Sequence, residues 1–222
     1  MKNMPENQQN LFKPGPLYHE RFAIVNLVKQ NMRSGDILYR ASDAKGPLGL
    51  PFTRLVASAT NSEYSHAAIM FVENGEPNVL EVNDQGTLRY RLLDWIDTCY
   101  GKTFSIYRLK DLNEVKEDLL LKEIYKFLDE DPDYDLTFSS DDKYYCTESV
   151  VEIYRRALNL ELDPGYLIKD VVAPWKYYLL RGGSEIFSVF GTSLPFNKRL
   201  YFVGNEKRGM MSSPLTQLVI KV

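Results

Sequence analysis

Apolar residues alternate or run together in short stretches through the middle of the chain, as they do in β-strands. Two such stretches, residues 65–72 and 78–82, flank the segment Glu73-Asn74-Gly75-Glu76. Asn-Gly between two apolar runs is a strong signal of a β-hairpin with a tight turn. Three further segments have the same extended character, so the pattern predicts about five strands. These segments are residues 36–40, 87–91 and 104–109.

Elsewhere, apolar residues recur three and four positions apart, which is the spacing of one face of an α-helix. This spacing predicts three long helices, at residues 18–32, 112–128 and 146–158. Weaker patterns predict short helices at 52–59 and 175–180, and extended segments at 186–190, 200–203 and 215–222. Together the elements predict an α+β fold, in which an antiparallel sheet has helices packed on one side.

The chain has 222 residues with 44% hydrophobic content, which is typical of one domain. No repeat or long linker divides it. We therefore predict a flexible lead-in at residues 1–17 and a single domain at 18–222, whose part from about residue 182 has no assigned role.

The formal charge of −3 and the pI near 5.5 lack the basic surplus of a nucleic-acid binder, so we expect no nucleic-acid partner. No apolar run is long enough for a transmembrane helix, although peripheral membrane contact is compatible with the sequence. The first 17 residues lack the apolar core of a secretory signal, which favours the cytoplasm unless a signal was removed. The oligomeric state stays open.

Histidine is scarce, and His66 is the more informative of the two because it lies in a predicted strand among small residues. If Asn74-Gly75 forms the turn, His66 lies opposite Asn83, and Glu81 is its diagonal neighbour on the same face. Either Glu81 or Asn83 could then accept a hydrogen bond from the imidazole and fix its tautomer. A solvated cross-strand polar pair is the structural alternative.

Two cysteines are too few for a disulfide scaffold, and free thiols are the simpler expectation. Cys146 opens a predicted helix, where backbone N–H groups stabilise a thiolate, more so with an imidazolium nearby. A buried structural cysteine is the alternative. Cys99 has no basic neighbour in the sequence, so we interpret it as a packing residue.

These residues, taken in order, carry a resemblance. Ser65-His66 begins a strand, Glu81 lies in the next strand, and Tyr145-Cys146-Thr147-Glu148 opens a later helix. With the turn Ser34-Gly35-Asp36 before the first strand, the set resembles the YiiX-like permuted papain family of NlpC-type cysteine hydrolases. The resemblance covers about residues 33–158 and implies a circularly permuted papain-like fold.

The resemblance also implies roles for individual residues. Cys146 would be the nucleophile, His66 the general base and Glu81 the orienting carboxylate, with Asn83 as the alternative third member. Tyr64 could offer its hydroxyl to the oxyanion or the substrate, and Tyr145 could line the acyl pocket. No metal or organic cofactor is needed for this chemistry.

The expected activity is hydrolysis of an amide bond in a small-molecule, peptide or lipid substrate: a peptidyl, amino-acid or fatty-acyl amide. An acyltransferase would use the same thioester, and a binding module would hold a peptide or lipid without turnover. A zinc site built from His66, Cys146 and a carboxylate is a further alternative. It is disfavoured because no close-spaced ligand pair occurs and only three ligands are visible.

Overall fold

The computed structural model describes residues 17–41, 57–58, 60–99, 103–134, 143–171, 178, 181–182 and 197–222, and for residues 17–22 and 171 it describes the backbone alone. The predicted lead-in, most of the predicted helix at 52–59, nearly all of that at 175–180 and the extended segment at 186–190 lie outside these residues. The division into a lead-in and one domain therefore stays a prediction.

A single antiparallel sheet of six strands forms the centre of the described part, in the spatial order β4-β3-β2-β1-β5-β6. All its pairings are antiparallel. The strands are β1 (Ile37–Arg40), β2 (His66–Glu73), β3 (Glu76–Asn83), β4 (Gly86–Arg91), β5 (Phe104–Leu109) and β6 (Thr216–Lys221). The five strands predicted in the first half of the chain are confirmed, and β6 lies within the extended segment predicted at 215–222.

The described helices are α1 (Leu17–Asn31), α2 (Leu92–Asp97), α3 (Glu114–Glu130), α4 (Cys146–Leu158) and α5 (Ile168–Val171). The three long helices were predicted within one or two residues of these bounds, whereas the short α2 was not predicted. The extended segment predicted at 200–203 forms no regular strand: Leu200 makes one isolated bridge to Tyr166 and no ladder continues from it. None of the described helices is both long and apolar enough to span a membrane.

Each face of the sheet has its own apolar core. Helices α3 and α4 pack on one face, which we call the thiol face, through buried residues such as Ile124, Phe127 and Ile153. The opposite face, which we call the imidazole face, is covered by α1 and α2 through residues such as Val28 and Trp95. The α+β class is confirmed, and the layering is fuller than predicted because α1 and α2 cover the second face.

A glycine turn joins α1 to the sheet and needs its glycine. Gly35 has a φ of +93°, a region that favours glycine, and an added Cβ would lie 2.5 Å from Cδ1 of Leu120 on α3. Its carbonyl oxygen accepts a hydrogen bond from the buried hydroxyl of Tyr154 on α4. The turn is thereby fastened to both helices of the thiol face.

Candidate functional site

The β2–β3 hairpin brings His66 and Glu81 together. Asn74 and Gly75 both have positive φ, as a tight hairpin turn requires, and the ladder runs in register from Glu73↔Glu76 to Ile69↔Leu80. Continuing this register places His66 opposite Asn83, with Glu81 on the diagonal.

The imidazole and the carboxylate are in direct contact. Nε2 of His66 lies 3.1 Å from Oε2 of Glu81, and the two side chains are 8% and 1% exposed. The ring N–H does not point squarely at the oxygen, so the contact is an ion pair more than an aligned hydrogen bond. Because Nε2 faces Glu81, Nδ1 is the nitrogen left for another partner.

Cys146 supplies that partner from the first residue of α4. Its thiol is hydrogen-bonded to His66 and to the backbone N–H of Ala67, the residue after His66 in β2. Burial by itself would raise the pKa of the Cys146 thiol, but the charge and hydrogen bond of His66 outweigh it and hold the pKa below its ordinary value. The lowered pKa favours the thiolate form of Cys146.

The pKa of His66 responds in the opposite direction. Burial alone would lower it, but the charges of Glu81 and Cys146, together with the polar contacts that both make to the ring, raise the pKa to about 9. The lowered pKa of the thiol and the raised pKa of the imidazole both favour the thiolate–imidazolium pair, which is the reactive form of a cysteine nucleophile.

Glu81 is held by three N–H donors besides His66. Nη2 of Arg40 lies 3.0 and 3.2 Å from its two oxygens, Nε1 of Trp95 donates at 2.6 Å, and Nδ2 of Asn83 donates at 2.9 Å. Burial would raise the pKa of Glu81, but His66, Arg40 and Asn83 keep it far below its usual range. The carboxylate is therefore ionised near neutral pH.

Sequence reasoning missed Arg40 and Trp95. Strand alternation could have indicated Arg40. It lies two residues after Leu38, so the two side chains leave the same face of β1. It also pairs directly with His66 across the ladder. Nothing in the sequence near Trp95 indicates its contact with Glu81, which depends on how α2 folds back over the imidazole face.

The remaining predicted residues are placed differently. Asn83 does not reach the imidazole: its amide donates to Glu81, and its oxygen accepts from the N–H of Gln85. The hydroxyl of Tyr145 accepts from the N–H of Tyr201 at 2.6 Å, so it fastens a neighbouring segment to the start of α4.

Tyr64 is buried in the core of the thiol face, and its hydroxyl has no hydrogen-bond partner among the described residues. A role for Tyr64 at the oxyanion or the substrate therefore stays a prediction.

Cys99 is buried beside α2, as predicted for a packing residue. Its sulfur contacts the carbonyl oxygen of Trp95 at 3.6 Å, and burial raises the pKa of its thiol to about 12. Both cysteines are free thiols. Their contrast shows that the His66 contact, and not burial, gives Cys146 its acidity.

The sequence profile of the permuted papain-like amidase enzymes, the YaeF/YiiX or C92 family, matches residues 31–203 of this chain. Among individual proteins, the uncharacterized protein YiiX of Escherichia coli strain K12 is 27% identical over 140 residues. Those residues are 62% of this chain and 65% of YiiX, so the match spans just under two thirds of that relative's length.

The fold is also similar to that of a solved structure. The crystal structure of the metalloprotein YiiX from Escherichia coli O157:H7 superposes with a TM-score of 0.65 and covers 86% of this chain and 97% of that chain. The two chains are 24% identical. At that level the likeness concerns the fold alone.

Proposed function

This chain belongs to the family of permuted papain-like amidase enzymes, and from that premise we propose that it is a cysteine amidase acting through Cys146, His66 and Glu81. Family membership confirms the resemblance and the permuted papain-like fold predicted from the motifs. It also confirms, at the level of the family, the predicted class of cysteine amidase or peptidase. The observation that carries the proposal is the buried contact between the Cys146 thiol and an imidazole that is itself paired with Glu81.

The first half of the proposed reaction forms a thioester. The thiolate of Cys146 attacks the carbonyl carbon of the amide, and the N–H groups at the start of α4 face the developing oxyanion. Protonated His66 then gives its proton to the leaving nitrogen, and the C–N bond breaks. An amine leaves, and the acyl group remains on sulfur.

The second half releases the acid. Neutral His66 takes a proton from water, whose oxygen attacks the thioester carbon, and the C–S bond breaks. The products are a carboxylic acid and the restored thiolate–imidazolium pair. Glu81 stays ionised throughout, holds the ring in orientation and stabilises its positive charge.

The substrate class we propose is a peptidyl, amino-acid or fatty-acyl amide. An acyltransferase would share the first half-reaction and pass the acyl group to an acceptor other than water, and a binding module would form no thioester. Mass spectrometry of the intact protein distinguishes these: an acyl adduct on Cys146 excludes the binder. Release of free acid, as against an acylated acceptor, separates hydrolysis from transfer.

A resident metal ion, suggested by the description of YiiX as a metalloprotein, does not fit this group of side chains. The oxygens of Glu81 already accept from Arg40, Trp95 and Asn83, and a guanidinium beside them repels a cation. Within the described part of the chain, no three His, Cys, Asp or Glu side chains are grouped to hold a metal. The proposed reaction therefore has no step that uses a metal ion.

The decisive experiment compares the protein with Cys146→Ala on a panel of peptidyl, aminoacyl and N-acyl amides, with the released amine as the readout. We expect Cys146→Ala to keep the fold and lose turnover completely. The rate of the native protein should rise with pH as the thiolate forms and fall again near pH 9, where His66 loses its proton. Undiminished activity of Cys146→Ala would refute the proposal.

A further inference from the structure

The imidazole face buries a cation that the proposed reaction does not use. Arg40 ends β1 and is 6% exposed, and it lies directly opposite His66 in the β1–β2 ladder. Two cations facing each other across a ladder repel unless an anion separates them. Glu81 provides that anion, since it contacts both the guanidinium and the imidazole.

Arg40 also connects the carboxylate of Glu81 to the C-terminal end of α2. Its Nη2 contacts both oxygens of Glu81, while its Nη1 donates at 3.0 Å to the carbonyl of Thr98, the residue that caps the C-terminus of α2. Its guanidinium carbon lies 5.5 Å from the centre of the Trp95 ring. One side chain therefore fixes the position of Glu81 relative to β1 and α2 at once.

The four groups form a line of alternating charge. A thiolate at Cys146, an imidazolium at His66, a carboxylate at Glu81 and a guanidinium at Arg40 follow one another, and their charges sum to zero. A buried line that is electrically balanced avoids an uncompensated charge, which is costly in a protein interior. Removing the terminal cation leaves one negative charge in excess.

We propose that Arg40 is a positioning residue: it holds Glu81 against His66 and, as the terminal cation of the line, keeps the Cys146 thiol ionised. This inference rests on the proposed function. It assigns to a residue distant from the sulfur a role in setting the pH range over which the thiolate exists.

Both responses to the loss of Arg40 act on the thiol in the same direction. If Glu81 stays ionised, the excess negative charge raises the pKa of Cys146 directly. If Glu81 instead takes up a proton, His66 loses its carboxylate partner, the imidazolium is destabilised, and the pKa of Cys146 again rises. A role for Arg40 in packing alone would lower activity without moving this pKa.

Other ionisable groups lie near this line of charges. All of them except Cys99 are left unsubstituted in the variants that test the role of Arg40. Tyr90 in β4, Cys99 after α2 and Tyr145 before α4 interact with members of the line. Beside these three lie Asp84 in the turn before β4, Asp97 at the end of α2 and Glu148 in the first turn of α4. Cys99 is replaced by Ala throughout, so that Cys146 is the sole thiol.

The test is the pH dependence of Cys146 alkylation by iodoacetamide, which reports the thiolate without any substrate. In the Cys99→Ala protein the midpoint should lie well below the value near 8.5 of an ordinary thiol. Arg40→Gln should raise it by about one pH unit or more. Arg40→Lys keeps the charge and should shift the midpoint by less than half as much.

Asn83→Ala is the matched control. The amide of Asn83 is a neutral donor, and its hydrogen bond to Oε1 of Glu81 is similar in length to that of Arg40 to the same oxygen. Asn83→Ala too should shift the midpoint by less than half as much as Arg40→Gln. A midpoint unchanged in Arg40→Gln, or raised equally in Asn83→Ala, overturns the role of Arg40 and leaves the proposed function standing.

Two further outcomes complete the test. An ordinary midpoint in the Cys99→Ala protein itself contradicts both the inference and the proposed function. If Arg40→Gln does not fold, by circular dichroism and a cooperative thermal transition, Arg40→Lys decides alone. A rise of a full pH unit in this charge-conserving variant overturns the inference.

Discussion

One carboxyl group buried on each face of the sheet makes an instructive pair, because the two groups behave oppositely. Glu81 on the imidazole face and Asp163 on the thiol face are both 1% exposed. The pKa of Glu81 lies far below its usual range, whereas burial raises the pKa of Asp163 to about 7.

The two carboxyl groups differ in pKa because different hydrogen-bond donors surround them. Glu81 receives hydrogen bonds from Arg40, Trp95 and Asn83, while neither oxygen of Asp163 has a hydrogen-bond partner among the described residues. The N–H of Gly165 approaches Asp163 and opposes the effect of burial only in part. Burial therefore does not decide whether a carboxyl is charged; the groups that face it do.

The same contrast separates the two sides functionally. The imidazole face holds the polar network around Glu81, and the thiol face holds an apolar core beside which the sulfur of Cys146 lies at the start of β2. Cys146 meets His66 there because α4 begins where the strand begins. Stability should depend on both faces, but the orientation of the imidazole should depend mainly on the network of the imidazole face.

Among the variants that compare the two faces, the largest expected effect is that of Glu81→Gln. The amide can still contact the ring, but it cannot stabilise the imidazolium, so we expect roughly a 10²–10⁴-fold loss of kcat/KM with the fold retained. Asn83→Ala, which removes one donor to Glu81, should cost far less. A crippling Asn83→Ala beside a silent Glu81→Gln would show that the third member of the site is Asn83.

The next largest effects are expected from removing one buried hydrogen-bond donor on each face of the sheet. Trp95→Phe removes an N–H from Glu81, and Tyr154→Phe removes an O–H from the carbonyl of Gly35. Each should lower the free energy of unfolding by about 1–3 kcal/mol, measured by urea denaturation. Trp95→Phe should also reduce kcat/KM, whereas Tyr154→Phe should not. Equal losses of activity would contradict the division between the faces.

The smallest effect concerns Asp163 and appears only with pH. Its pKa is about 7 when folded and near 3.8 when unfolded, so the folded state keeps a proton that the unfolded state has already lost between these values. Stability from this group is full below the lower value and is lost as pH rises through the upper one. Asp163→Asn should thus raise Tm by a few degrees at pH 8 and change it little near pH 4. A rise in Tm that is equal at both pH values would contradict this assignment.

Local sequence determined the elements that carry the proposed chemistry. The Asn-Gly turn set the register of β2 and β3, and a period of two then placed Glu81 beside His66, because alternation along a strand is fixed by backbone geometry. Helical spacing located α4 and put Cys146 at its first residue. The packing of Cys99 also followed from its lack of basic neighbours.

Tertiary structure decided the rest, because it depends on contacts between residues far apart in the chain. The fold of α2 over the sheet brought Trp95 to Glu81, and the pairing of β1 with β2 placed Arg40 opposite His66. Asn83 lies opposite His66 in register, yet its amide contacts Glu81 and the N–H of Gln85. The charge state of a buried group is set by all of its neighbours at once, and a sequence displays only those along the chain.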